Sequence, residues 1–173
     1  MTADDVNGEL VDEVDGEDRV LRVVTRREMR RGRLRHRAVF VAVTDGENRL
    51  LVHRRAMTKD VWPGWCDIAV GGVVSSGESY ESAAIREVAE EVGIFDAECE
   101  ALDRGVSRPY EDDQVSLLGR CFRVRHSGGI RFADGEVTQA WWVPLDEVVE
   151  WTRRDRFLPD SLALLWPLLR PSD

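Results

Sequence analysis

Residues 72–94, GVVSSGESYESAAIREVAEEVGI, constrain the fold of this chain more than any other stretch. From Ser79 to Val92 the apolar residues recur at helical spacing, with Tyr80, Ala83, Ala84 and Val88 facing inward and Gly93 supplying the stop. Just ahead lies a β-rich run, CDIAVGGVV (66–74), which ends in the glycines Gly71 and Gly72. A strand, a glycine turn and an amphipathic helix in succession predict a helix packed on a sheet. The polar side of that helix carries Glu87, Glu90 and Glu91, three and four residues apart. Like charges at that spacing destabilise a helix by about 0.2–0.5 kcal/mol per pair. An ordinary soluble face interleaves lysines, whereas here the nearest base is Arg86. Either the helix is simply overcharged or a positive partner completes the cluster.

Around this segment the chain reads as one α/β domain from residue 19. RVLRVVT is a short strand, and HRAVFVAVT (36–44) and NRLLVHRR (48–55) form a hairpin across DGE. Further strands are predicted near 100–107, 115–125 and 137–143, and helices after Pro144 and after Pro159. Strands interrupted by a central helix and closed by C-terminal helices imply a mixed sheet covered on both faces. The net charge of −9 belongs almost wholly to residues 1–18, which contain eight acids and no Lys or Arg, so the remainder carries only −1. That segment is expected to be a disordered acidic tail. The basic stretch TRREMRRGRLRHR (25–37) lacks interleaved aromatics, so it reads as a solvated short helix leading into a strand rather than a nucleic-acid surface.

No apolar run approaches the 18 or so residues of a membrane span, and the acidic N-terminus is unlike a signal peptide. Cys66, Cys99 and Cys121 form neither a CxxC pair nor a disulfide framework. Free thiols in a reducing cytoplasm are the expectation.

Clustered carboxylates beside a glycine turn suit a hard divalent cation such as Mg2+, which takes oxygen ligands and leaves positions open to water and substrate phosphates. Gly71 and Gly72 let backbone carbonyls approach the glutamates. Arg86 can pair with a carboxylate and hold the helix against the loop that carries Glu78.

Gly72, Glu78, Arg86, Glu87, Val88, Glu90, Glu91, Gly93 and Ile94 together follow the pattern Gly, five residues, Glu, seven residues, Arg-Glu, aliphatic, any, Glu-Glu, any, Gly, aliphatic. This resembles the Nudix box without departure. Seven fixed identities at average residue usage have chance odds on the order of one in 10^8 per starting position. The resemblance implies a Nudix-type α/β/α sandwich and hydrolysis of a pyrophosphate linkage in a nucleoside diphosphate derivative or related organic diphosphate, with Mg2+ or Mn2+. It implies that the Gly72 carbonyl and Glu87, Glu90 and Glu91 hold the metal, and that Arg86 and Glu78 form a supporting pair. The general base is then Glu87 or Glu136, with the run Glu111, Asp112, Asp113 as another source.

The stretch RLLVHRRAMTKDVWPGWCDIAVGG also resembles isopentenyl-diphosphate isomerase, a Nudix-fold enzyme. Arg54, Arg55 and Lys59 match positions that meet a substrate diphosphate there, and His36 matches a metal histidine. The isomerase's reactive cysteine falls at Gly71, its next metal histidine at Val73 and its acidic partner near Gln114. The isomerase loses its acid and base in this chain, so the resemblance implies an isomerase-like branch of the hydrolases, with the isomerase as the alternative. A diphosphate-binding module without catalysis is a second alternative, and a homodimer is a possible assembly. Arg54 and Arg55 are adjacent on a strand and point to opposite faces, so at most one reaches the site. Trp62 and Trp65 suit either loop packing or a stacked ligand, and Trp141 and Trp142 suit core and sheet surface.

Overall fold

The computed structural model describes residues 8–132 and 135–170. Nine strands form one mixed sheet: β1 (Leu10–Val14), β2 (Val20–Thr25), β3 (His36–Thr44), β4 (Arg49–Arg55), β5 (Cys66–Asp67), β6 (Glu100–Ala101), β7 (Arg108–Glu111), β8 (Ser116–Arg125) and β9 (Val137–Pro144). Among the described residues five helices accompany it: α1 (Arg26–Gly32), α2 (Tyr80–Val92), α3 (Val148–Arg154), α4 (Pro159–Leu164) and α5 (Trp166–Leu169). The expected α/β/α sandwich is the fold observed.

The central strand β3 is buried on both faces and its alternation sorts the core. Val39, Val41 and Val43 face α2, where Ala83, Ala84, Val88 and Val92 complete one cluster. Ala38, Phe40 and Ala42 face the opposite cluster with Val148, Leu158, Leu164 and Leu165 of the C-terminal segment. Each fully buried Val or Leu contributes roughly 1.5–3 kcal/mol, so the two layers are held by their apolar stripes rather than by helix propensity. The C-terminal helix expected after Pro159 is two helices, parted at Leu165. Pro167 follows, and it has no amide to continue the ladder.

β3 and β4 meet as a hairpin at Thr44↔Leu50 and then part, β3 pairing in parallel with β8 and β4 antiparallel with β9. The segment 66–75 passes into the gap. It pairs with β4 at His53↔Asp67, then with β3 at Val41↔Val70 and Ala38↔Val73, then with β1 at Val11↔Ser75. The single strand expected over 66–74 is therefore corrected to a two-residue strand and isolated bridges. A chain that changes partner every few residues makes no continuous ladder. The expected strand near 100–107 is likewise reduced to β6, with β7 following it.

The acidic stretch also departs from expectation. Of its 18 residues, 1–7 lie outside the described residues, while Leu10–Val14 form β1 between β2 and β3. Its acids find partners far along the chain: Glu9 bonds Arg26 (3.0 Å) and the Ser75 hydroxyl (2.8 Å), and Asp12 accepts from the Ser76 hydroxyl (2.6 Å) and Arg37 (3.3 Å). Asp18 accepts from Arg37 (2.6 Å) and Tyr80 (3.0 Å). Charge is balanced in space rather than along the chain, so local composition misreads this segment.

Among the described residues no helix is long and apolar enough to cross a membrane.

Candidate active site

The helix α2 starts where the Ser79 hydroxyl accepts from the Ser82 amide (3.1 Å), and it stops at Gly93, whose left-handed φ of 72° lets its amide reach Ala89 O (3.2 Å). Between these caps Arg86 acts as a hub. Its Nε and Nη2 donate in parallel to the two oxygens of Glu78 (3.0 and 2.9 Å), its Nη1 to Glu87 (2.7 Å) and Glu90 (3.3 Å), and its Nη2 also to Val73 O (3.3 Å). Burial opposes ionisation of Glu78, but the bonds from Arg86 and the Ser75 amide (3.1 Å) hold its carboxyl below the ordinary range. Helix, loop and glycine turn are thus clamped together through one guanidinium.

Gly72 lies directly under this helix. A Cβ there would come within 2.6 Å of Glu87 Oε1, so only glycine leaves the carboxylate its place. The Gly72 carbonyl accepts from the Val39 amide (3.0 Å), which leaves its second lone pair.

Glu91 is 7% exposed and Glu90 half-exposed, so the three glutamates span an inner and an outer rim. Burial raises the Glu87 carboxyl, and burial followed by repulsion from Glu87 raises Glu91 well above the usual range. Lys59 stands 4.0 Å from Glu91 and bonds Glu136, whose carbonyl accepts from the Ala56 amide (2.8 Å). The residues expected at the site from distant parts of the sequence are therefore brought together. Among the described residues no three metal-ligating side chains converge on one point; Arg86 and Lys59 occupy the carboxylates.

Arg54 is corrected. It donates to Gly64 O (3.0 Å), pairs with Asp155 and lies over Trp141, because strand alternation turns the adjacent Arg54 and Arg55 to opposite sides. Arg55 lines the cavity next to Gly72 and Lys59. Its Nη2 donates to Val61 O (3.2 Å), while its buried Nε has no partner among the described residues. The acidic run Glu111–Asp113 is engaged elsewhere, with Arg33, Arg35 and Tyr110. His36 is buried with its Nδ1 at 3.0 Å from Leu34 O, and burial pushes its pKa down to about 3.

Sequence reading missed two basic residues and two acids. Arg26 and Arg30, four apart on α1, line the same cavity, so this helix is not merely solvated; their i,i+4 spacing was the available signal. Asp67 and Asp160 line its far end, and an aspartate inside the apolar run CDIAV was the only hint.

Position 71, where the isomerase alignment places a reactive cysteine, has no room for a side chain, since a Cβ would stand 2.0 Å from Val39 O. Val73 is buried among Val11, Val24 and Met29. Cys66 is buried, and burial raises its thiol to about 11.

Comparison with known proteins agrees with this geometry. The NUDIX domain family model matches residues 34–161. An uncharacterized Nudix hydrolase of Yersinia pestis is 38% identical over 157 residues, covering 91% of this chain and 84% of that protein. The uncharacterized Nudix hydrolase YfcD of Escherichia coli K12 is 37% identical over the same length and shares of the two chains. Among solved structures, DR0079 of Deinococcus radiodurans superposes with a TM-score of 0.74 at 24% identity, covering 94% of this chain and 98% of that one. The Nudix domain of Shewanella oneidensis NrtR, crystallised with ADP ribose, superposes with a TM-score of 0.60 at 18% identity, covering 76% and 84%. A complete box on this fold, matched by a family model over most of its length, places the chain in the Nudix hydrolase family.

Proposed function

We propose that the chain hydrolyses a pyrophosphate linkage in a small organic diphosphate, nucleoside diphosphate derivatives included, with Mg2+ or Mn2+. The observation that carries this reading is Glu91, a buried carboxylate beside Glu87, with Arg86 bonded to Glu87 and no cation closer to Glu91 among the described residues than Lys59 at 4.0 Å. Buried charge is costly unless compensated, and a divalent cation is the compensation that oxygen donors of this kind suit.

Glu87, Glu90, Glu91 and the Gly72 carbonyl would hold that cation. When bound, it supplies charge neutralisation at the phosphoryl oxygens and a more acidic water. Arg55 and Lys59 orient the diphosphate, Arg55 through the Nε that has no partner among the described residues. Glu136, held at the cavity by Lys59, or Glu87 takes the proton from the attacking water. Glu78 acts at a distance, by fixing the guanidinium that fixes Glu87.

The isomerase alternative is disfavoured by the absence of space at Gly71. A non-catalytic module is disfavoured by the intact set of glutamates together with their Arg86 clamp.

The test is product release from nucleoside triphosphates, dinucleotides, sugar nucleotides and prenyl diphosphates, with Mg2+ and with chelator, against Glu90→Gln with Glu91→Gln. Metal-dependent cleavage that disappears in the double variant supports the hydrolase. Isomer formed from isopentenyl diphosphate without cleavage overturns it, and a folded protein that only binds diphosphates favours the module.

A further inference from the structure

The cavity that begins at Gly72 and Lys59 does not end there. Phe40 and Trp62 also line it, and so do the buried Asp67 and Asp160, 5% and 6% exposed. The fold brings these two aspartates together by a short pairing. The Cys66 amide donates to Arg156 O (2.8 Å), the Leu158 amide donates to Cys66 O (2.9 Å), and Cys66 bridges Phe157 in parallel. The first turn of α4 therefore delivers Asp160 beside Asp67.

The fold engages both carboxyls but leaves one oxygen of Asp160 over. Asp67 Oδ1 accepts from the Ala69 amide (3.0 Å), and Asp160 Oδ1 accepts from the Ser161 amide (2.8 Å). Among the described residues Asp160 Oδ2 accepts no hydrogen bond. Burying two acids around one arginine destabilises the fold, and local rules are broken in this way chiefly where function requires it. Burial raises both carboxyls; for Asp160 the neighbouring Asp67 adds to it, and the carboxyl is pushed up to about 7. Arg55 faces both acids from the diphosphate side.

We propose that the part of the cavity lined by Asp67 and Asp160 is a specificity pocket for a compact substituent of the diphosphate substrate, one bearing a hydroxyl or amino group that hydrogen-bonds to Asp67 and Asp160. The inference rests on the hydrolase reading for its reaction but not for its binding. Size and charge select the class. The cavity has a volume of about 80 Å3. A cavity of about 150 Å3 holds benzene, so a cavity of this size that also receives part of the diphosphate leaves room beside the aspartates for a group of a few heavy atoms and not a nucleobase. Phe40, Trp62 and Leu117 give it apolar walls. A second anionic group on the substituent would meet two carboxyls, whereas a hydroxyl or amine supplies the donor that Asp160 Oδ2 lacks.

The discriminating pair is 4-hydroxybutyl diphosphate and butyl diphosphate, which differ only in the terminal hydroxyl. A site built around a substrate hydroxyl rejects the analogue that lacks it by large factors, up to about 10^4. With wild-type protein and Mg2+, kcat/KM is expected to favour the hydroxylated compound by at least about tenfold. In Asp160→Asn the ratio falls toward one. Equal use of both compounds by the wild type, or an unchanged ratio in a folded Asp160→Asn, overturns the pocket. If neither compound nor any other diphosphate is cleaved, the hydrolase reading fails, and calorimetric binding of the same pair decides the pocket by the same ratio.

Discussion

Arg86 and Glu78 are joined by two parallel hydrogen bonds of 3.0 and 2.9 Å, although seven residues of loop and helix separate them. The fork fits a carboxylate as no other cation does, and it fixes where the helix lies relative to the glycine turn. Arg86→Ala is expected to cost about 1–3 kcal/mol, because it leaves Glu78 and Glu87 without their donor. Arg86→Lys should recover little, since an ammonium cannot form the fork. Urea denaturation with an unchanged m-value is the measurement.

Gly72→Ala places a methyl where Glu87 Oε1 now lies, 2.6 Å from the new Cβ. The carboxylate is the end of a flexible side chain, so the fold should survive with little change in Tm. Its displacement is of the size that costs roughly 10^2-fold in rate. A steady-state kcat/KM within threefold of wild type would show that Glu87 has no fixed position in the reaction.

Metal should stabilise the fold as well as support turnover. At 100 times its Kd, a ligand that binds only the folded state adds about 2.7 kcal/mol. Titrating Mg2+ into metal-free protein should raise Tm progressively, and Glu91→Gln should abolish most of that rise. The same variant should be at least as stable as wild type without metal, because it removes a buried charge that burial and Glu87 disfavour. A metal-free Glu91→Gln protein less stable than wild type would contradict this account.

Arg54 and Arg55 separate function from packing. Arg55→Ala should lower kcat/KM on a diphosphate by about 10^2-fold, the value of a charge-assisted contact of roughly 3 kcal/mol. Arg54→Ala should leave kcat/KM within about threefold, and its partly exposed pair with Asp155 should cost at most about 1 kcal/mol.

Asp160 gives the fold a pH dependence with a definite sign. Its folded pKa of about 7 exceeds the ordinary 3.8, through burial first and Asp67 second. A raised acid favours folding when protonated, so its contribution is complete below pH ~4 and is lost as pH rises toward 7. At about 1.4 kcal/mol per unit the full change is on the order of a few kcal/mol. Wild type minus Asp160→Asn stability, measured from pH 4 to 8, should fall across that window. A flat difference would mean that Asp160 titrates as an exposed acid.

Much was written locally. The spacing of Ala83, Ala84 and Val88, the stop at Gly93 and the alternation of β3 depend on neighbours within a few residues, and so helix, hairpin and sandwich were legible. The box pointed to Glu87, Glu90, Glu91 and Arg86, because a helix presents residues three and four apart on one side whatever surrounds it. Tertiary structure alone decided the rest. The acidic stretch became β1 because Arg26, Arg37 and Ser76 await it across the fold. Alternation puts Arg54 and Arg55 on opposite sides, but that Arg55's side holds the cavity was decided only when Gly72, Lys59 and Asp160 folded against it. The pairing of Asp67 with Asp160 rests on 92 residues of intervening chain closing on one bridge, Cys66 to Phe157. Hydrogen-bond periodicity acts over a turn or a strand and is printed in the sequence; burial and charge balance act through space, and only the folded chain says which distant groups share them.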